Sequence, residues 1–253
     1  MLSGRISLMQ SARTRLDRFI SRHLGISRRD VRLMLVQQRV KVDGRVATDI
    51  QEVVHEFSQV IFDEQVLQDN KAAYVMMNKP TGVVSATKDA QHKTVIDLLD
   101  RSDGSSLHIV GRLDLNSSGL LLLTNDGRWS KNLSLPEKKV SKLYRVGLEK
   151  PLNNEYVQAF AAGMYFEYEG ITTRPAKLEI ISDYLAEVHL EEGRYHQIKR
   201  MFGRFNNKVI SLHRLAVGTL LLDQNLLPGQ SRDLSASEVA NISARPSYGE
   251  TNL

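Results

Sequence analysis

Residues 111–127 read GRLDLNSSGLLLLTNDG, and this stretch constrains the fold more than any other part of the chain. Four consecutive leucines, Leu120 to Leu123, followed by Thr124, cannot serve a half-exposed strand, which alternates apolar and polar residues. They describe a central strand covered on both faces, closed by an Asn125-Asp126-Gly127 turn. A charged pair, Arg112 and Asp114, stands just ahead of it. A buried strand is a rigid base, so a carboxylate in its entry loop is held in one place. On residue chemistry alone, Asp114 is equally well a turn cap with Arg112 as its surface partner.

The flanking segments mix strand and helix patterns. YVMMNKPTGVVSA (74–86) reads as a strand, a Lys-Pro-Thr-Gly turn and a second strand. HKTVIDLLD (92–100) reads as a short amphipathic helix with Asp97 and Asp100 toward solvent. In VSKLYRVGLE (140–149) Val140, Lys142, Tyr144, Val146 and Leu148 share a face at period two. NNEYVQAFAAG (153–163) is a capped helix ending at Gly163, AKLEIIS and LAEVHLEEG form a hairpin, and HQIKRMFGRF (196–205) is helical. Trp129, after the turn, packs at a domain edge, while His108 and His213 read as ordinary strand or loop histidines. The expectation is an α+β domain on a largely antiparallel sheet.

The chain has 253 residues, 42% hydrophobic and 25% charged, as soluble globular proteins have. No apolar run approaches the ~20 residues of a membrane span. The first residues, MLSGRISLMQSARTR, lack an apolar signal core, so a cytoplasmic location is expected. Cysteine is absent, which excludes disulfides and thiolate-held metals. No long exposed apolar face demands a dimer, and a monomer is expected.

Charge is unevenly placed. Residues 1–60 carry eleven Lys/Arg against six Asp/Glu, and that surplus equals the formal net charge of the whole chain, +5. Ten of the eleven are Arg, whose planar fork fits phosphate oxygens, so the partner expected is a nucleic acid. Leu16, Phe19, Ile20 and Leu24 fall at helical spacing before a Gly25 stop. Ser27 with Asp30 resembles a capping box, and the second helix buries Val31, Met34 and Leu35, leaving Arg28, Arg29 and Arg32 together on its other side. Val40 and Val42 run into an Asp43-Gly44 turn, and Val46 returns as a hairpin.

A second basic motif is EEGRYHQIKRMF (191–202). Gly193 is expected to turn the chain from strand to helix, with Arg194, Lys199 and Arg200 gathered at the helix start. A carboxylate beside them would stay ionised. His196 reads as a cap or orienting group for that helix, and Glu191 and Glu192 as solvated hairpin-end acids.

Two resemblances follow from these motifs. Residues 13 to about 60, with RLDRFI, SRR and RVKVDG, resemble the S4-like alpha-L RNA-binding module. Residues from about 72 to 240 resemble the RsuA/RluB-type pseudouridine synthases through NKPTG (78–82), GRLDLNSSGLLLLTNDG, KLY (142–144) and GRYHQIKRMF (193–202). Ser117 stands where that family often has Thr. The implied organisation is an RNA-binding domain at 13–60, a linker at 61–72, a catalytic domain at 73–243 and a polar tail at 244–253.

The resemblance implies that Asp114 is the catalytic aspartate and that Arg112 enters the space left by a flipped nucleotide. It implies that Tyr144 packs on the uracil and takes the proton from carbon 5, and that Lys199 pairs with Asp114. Arg194 supports phosphate or the motif itself, and Arg15, Arg28, Arg29 and Arg32 contact RNA. The carboxylate can attack the sugar or assist elimination, and is later released. Uracil in folded RNA must be extruded first. The reaction is an isomerisation, so neither metal nor organic cofactor is expected. The substrate implied is ribosomal RNA, and EKKVSKLYRVGLEKPL and RPAKLEII favour the small subunit, within an assembling particle, over the large one. Two rivals are a non-catalytic rRNA assembly factor, which would not need Asp114, Tyr144 and Lys199 together, and a hydrolase with paired acids, for which Asp114 lacks a nearby carboxylate in sequence.

Overall fold

The computed structural model describes residues 13–243, so the expected polar tail lies outside them. These residues form two compact units, 13–72 with 126–128 and 73–125 with 129–243.

In the first unit, helix Leu16–Leu24 buries Leu16, Phe19 and Ile20, and Gly25 ends it in the left-handed region at φ 67°. Helix Arg28–Val36 starts with the expected capping box, in which the Ser27 hydroxyl accepts from the Asp30 N–H and the Ser27 N–H donates to Asp30. Val31 and Leu35 are buried and Met34 is half-buried. Strand Val40–Val42 turns through Asp43-Gly44 into Arg45–Val46. The segment expected to be a linker is instead partly sheet. Strands Val60–Phe62 and Gln65–Gln68 form a hairpin beside Val40–Val42, completing a four-stranded sheet. Val60 is fully buried in the same core as Val40 and Val42. The mixed composition of IFDEQVLQ reflects an edge hairpin, of which one face alone meets that core.

The second unit is built on a nine-stranded sheet. Its main path runs Lys177–Ser182, Leu185–Leu190, Lys142–Leu148, Val209–Val217, Ser118–Thr124, Tyr74–Lys79 and Ser231–Asp233. Every pairing along it is antiparallel except one, the short parallel match of His213 to Ser118 and Arg214 to Gly119. That junction splits the sheet into two antiparallel halves. Strand Ser118–Thr124 is covered on both sides, as its leucines require. Leu120 and Leu122 pack with Met76, Leu133 and Val217, and Leu121 and Leu123 with Val75, Met77 and Val95. All four leucines are fully buried, each worth roughly 1.5–3 kcal/mol. A third core gathers Val146, Leu148, Tyr156 and Phe160 with Phe202 beneath the other half.

Several local expectations change. HKTVIDLLD forms only a single 3-10 turn, Ile96–Leu98, because Asp97 turns back to accept from the Thr94 N–H and hydroxyl. The segment after NKPTG contributes one isolated bridge, Val84 to Thr94, and no strand. The Asn125-Asp126-Gly127 turn opens into helix Gly127–Ser134, which the polar composition of GRWSKNLS concealed. Trp129 on it stands edge-on to Tyr74 at 5.0 Å.

Candidate active site

The sheet junction carries the site. Gly119 is the residue that permits it, with φ 102° and its α-carbon facing the Arg214 backbone so closely that a Cβ would sit 2.3 Å from the Arg214 carbonyl oxygen. The loop 111–117 enters the buried strand directly above this contact, with the Ser117 N–H donating to the Asp114 carbonyl.

Lys79 locks that loop from below. Its side chain is fully buried, and its ammonium donates to three carbonyls, those of Pro80 (3.0 Å), Asp114 (3.0 Å) and Ser117 (2.8 Å). All three protons of the group are therefore used. Burial lowers the Lys79 pKa to about 8, with the Asp114 charge opposing that shift and Arg214 adding to it. Arg214 is the second buried cation, 2% exposed, and its guanidinium donates to the carbonyls of Leu120 (2.7 Å) and Gly111 (2.8 Å). Its third contact, 3.4 Å to the Tyr144 hydroxyl, is long for a hydrogen bond. Sequence reasoning assigned neither residue a role. NKPTG held Lys79 in plain view, and a lone Arg within the apolar strand VISLHRLAV is the signal for Arg214.

The Asp114 side chain is half-open rather than buried, about one-third exposed, as is Lys199. Lys199 Nζ lies 3.0 Å from Asp114 Oδ2. The same oxygen meets His196 Nε2 at 3.3 Å, so both groups converge on one carboxylate oxygen. Among the described residues nothing bonds Oδ1. The three cations expected together at the helix start separate. Lys199 takes Asp114, Arg200 forms a fork-to-fork pair with Glu169, and Arg194 pairs with Glu192.

Glu192 is not a solvated end group. It is 6% exposed and accepts from the Arg174 N–H, the Gln197 amide and the Arg194 side chain. Gln197 in turn accepts from the Arg194 N–H. This clasp shapes the turn that Gly193 was expected to make. The residue that goes left-handed is His196, at φ 49°, immediately before helix Gln197–Gly203. His196 makes no side-chain cap, and its ring reaches Asp114 instead.

A cleft of about 630 Å³ opens over these groups, of a size that holds a nucleotide-like ligand. Asp114, Arg112, Tyr144, Arg194 and His196 line it, with Lys142 and Arg214 at its floor. Burial, and then Arg214, bring the Lys142 pKa down to about 8. Arg112 is exposed and has no hydrogen bond or ion pair among the described residues. Arg28, Arg29 and Arg32 are likewise exposed and unpaired on their helix in the first unit, whereas the Arg15 fork is already taken by Asp17. No group of three or more His, Cys, Asp or Glu side chains that could hold a metal forms among the described residues.

Residues 73–203 match the RNA pseudouridylate synthase family, and residues 14–60 match the S4 domain. The chain is 48% identical to the ribosomal small subunit pseudouridine synthase A of Pseudomonas aeruginosa, over 90% of this chain and 100% of that protein. It is 38% identical to the protein of the same name from Escherichia coli strain K12, over 90% of this chain and 99% of that protein. A solved structure described as a crystal structure of pseudouridylate synthase superposes with a TM-score of 0.66 at 36% identity, covering 90% of this chain and 99% of that one.

Proposed function

This chain belongs to the RNA pseudouridylate synthase family, and we infer that it isomerises a uridine of small-subunit ribosomal RNA through Asp114. The observation that carries this reading is the Asp114 carboxylate, held by Lys199, on the wall of a nucleotide-sized cleft shared with Tyr144. The named relatives, which match this chain over nearly its whole length, support the small-subunit substrate.

The chemistry breaks the bond between uracil N1 and the anomeric carbon, turns the base, and joins carbon 5 to that carbon. The proton on carbon 5 leaves, and N1 gains one, so atoms balance without redox change or hydrolysis. Asp114 supplies the anion, with Lys199 and His196 holding Oδ2 and leaving Oδ1 for the sugar or base. Tyr144 offers a flat ring and a hydroxyl, suited to packing on uracil and accepting the carbon-5 proton. Arg112, without a partner among the described residues, fills the gap left by the extruded nucleotide. Arg28, Arg29 and Arg32 bind phosphates of the structured RNA, and Arg194 supports the motif through Glu192. The protein acts as a cytoplasmic monomer on the assembling small subunit.

The test is tritium release from carbon-5-labelled uridine in small-subunit rRNA, bare and in partly assembled particles. Wild type releases tritium with EDTA present once the RNA fold is maintained, and Asp114→Asn lowers the rate by at least about a thousandfold. Near-wild-type release by Asp114→Asn sinks the assignment. Release from large-subunit rRNA alone moves the substrate and keeps the chemistry, and tight binding without release from either favours an assembly factor.

A further inference from the structure

The cleft holds two tyrosines, Tyr144 and Tyr195. Tyr144 is partly buried among core residues, whereas Tyr195 is 75% exposed. One face of the Tyr195 ring stacks on the His196 imidazole, with centroids 3.9 Å apart and planes 22° from parallel. That imidazole is the group 3.3 Å from Asp114 Oδ2. Tyr195 is thus the outer layer of a stack whose inner layer touches the carboxylate.

The stack is built rather than incidental. His196 holds a left-handed backbone that costs a non-glycine residue on the order of 1 kcal/mol, and such strain persists only where the surroundings impose it. Here His196 lies within the clasp that buried Glu192 and Gln197 make with Arg194. An exposed aromatic ring fixed in advance at a cleft mouth has lost its entropy before any ligand arrives. Every nucleobase presents a π-face to such a ring.

We propose that the outer face of Tyr195 stacks an unpaired base adjacent in the RNA chain to the flipped uridine, making an unpaired neighbour part of what the protein selects. This deepens the synthase reading and rests on it. The proposal places the target in a loop, bulge or opened junction of the RNA, since a neighbour locked in a duplex cannot reach the ring.

The experiment uses full-length protein carrying Asp114→Asn, which binds without turnover, and an rRNA fragment with 2-aminopurine on one side or the other of the mapped uridine. Stacking on Tyr195 quenches the probe at one of the two positions. Tyr195→Ala in that background abolishes the quench and weakens binding about tenfold or more, the scale of one lost base–aromatic stack. Tyr195→Phe restores both. An abasic nucleotide at the same position weakens binding to the Tyr195-bearing chain by the same factor and costs the alanine variant nothing further. In the turnover-competent chain the loss falls on KM. Equal affinity and equal quench with Tyr195→Ala, or an affinity loss without quench at either neighbour, overturns the platform. Failure of wild type to release tritium defeats the synthase reading instead, and the binding comparison still decides the platform.

Discussion

Asp114 is one of a set of charged residues whose surroundings differ sharply over a few ångströms. Lys199 and His196 meet its side chain, while Lys79 meets its main-chain carbonyl from the buried side. Lys142 and Lys79 both have pKa values brought down to about 8 by burial, against an ordinary lysine near 10.4. In the window between those values the unfolded chain binds more protons than the folded one, so folding stability rises with pH there. RNA affinity is expected to move the other way. Lys142 lines the cleft, so its charge is expected to draw an RNA phosphate there below about pH 8 and to stop doing so as pH rises through it, whereas Lys142→Arg keeps its charge. Titrating the Kd of Asp114→Asn protein from pH 7 to 9 at fixed salt checks this. The wild-type Lys142 chain loses affinity severalfold, and the Lys142→Arg chain gives a flatter profile. Asp114, Tyr144 and Lys199 could be named in sequence because each lies in a motif that resembles the family's. His196 and Glu192 were visible there too, but a solvated and a buried carboxylate look alike until their partners are placed.

At the scale of elements, the site depends on one close approach. Strands Ser118–Thr124 and Val209–Val217 touch at Gly119 and Arg214, and no side chain fits between them. Gly119→Ala meets both penalties at once, a left-side φ and a Cβ against backbone that cannot swing away. It is expected to destabilise by more than about 2 kcal/mol and to displace the Asp114 loop. Thermal melts, read with tritium release, would show a lowered Tm and a turnover deficit that cooling does not restore. A melt within a degree of wild type would show that the junction gives. The leucine strand and the two N-terminal helices were legible because their burial follows a local period. The Gly127–Ser134 helix and the Val60–Gln68 hairpin were not, since their residues have weak periodicity and owe their form to neighbours distant in sequence.

For the whole molecule, the charge surplus sits in the first quarter of the chain while the catalytic unit is close to neutral, so RNA affinity and chemistry can be separated by substitution. Replacing Arg28, Arg29 and Arg32 together with Ala removes three exposed cations without touching a buried contact. The expected result is weaker binding at every salt concentration and a plot of log affinity against log salt shallower by up to about 0.7–0.9 per lost phosphate contact. Turnover at saturating RNA stays within a few fold of wild type. An unchanged salt slope would remove this helix from the RNA-binding surface. Arg15 is expected to contribute least, because its fork is spent on Asp17.

The sequence by itself determined the buried strand, the helix caps and the basic first quarter, and the family resemblance of its motifs pointed to Asp114, Tyr144 and Lys199. The first three rest on short-range regularities, such as hydrophobic period, capping chemistry and local composition, which a linear chain displays directly. The resemblance implied the pairing of Lys199 with Asp114, and only the tertiary structure decided the other charge partners. It sent Lys199 and His196 to one oxygen of Asp114, turned Arg200 and Arg194 to other partners, and buried Lys79 and Arg214 beneath the loop. Lys79 and Asp114 are 35 residues apart, Lys199 and Asp114 85, and Arg214 and Gly111 103. Pairing over such separations is set by how the strands align across the sheet, and that alignment is a property of the packed whole.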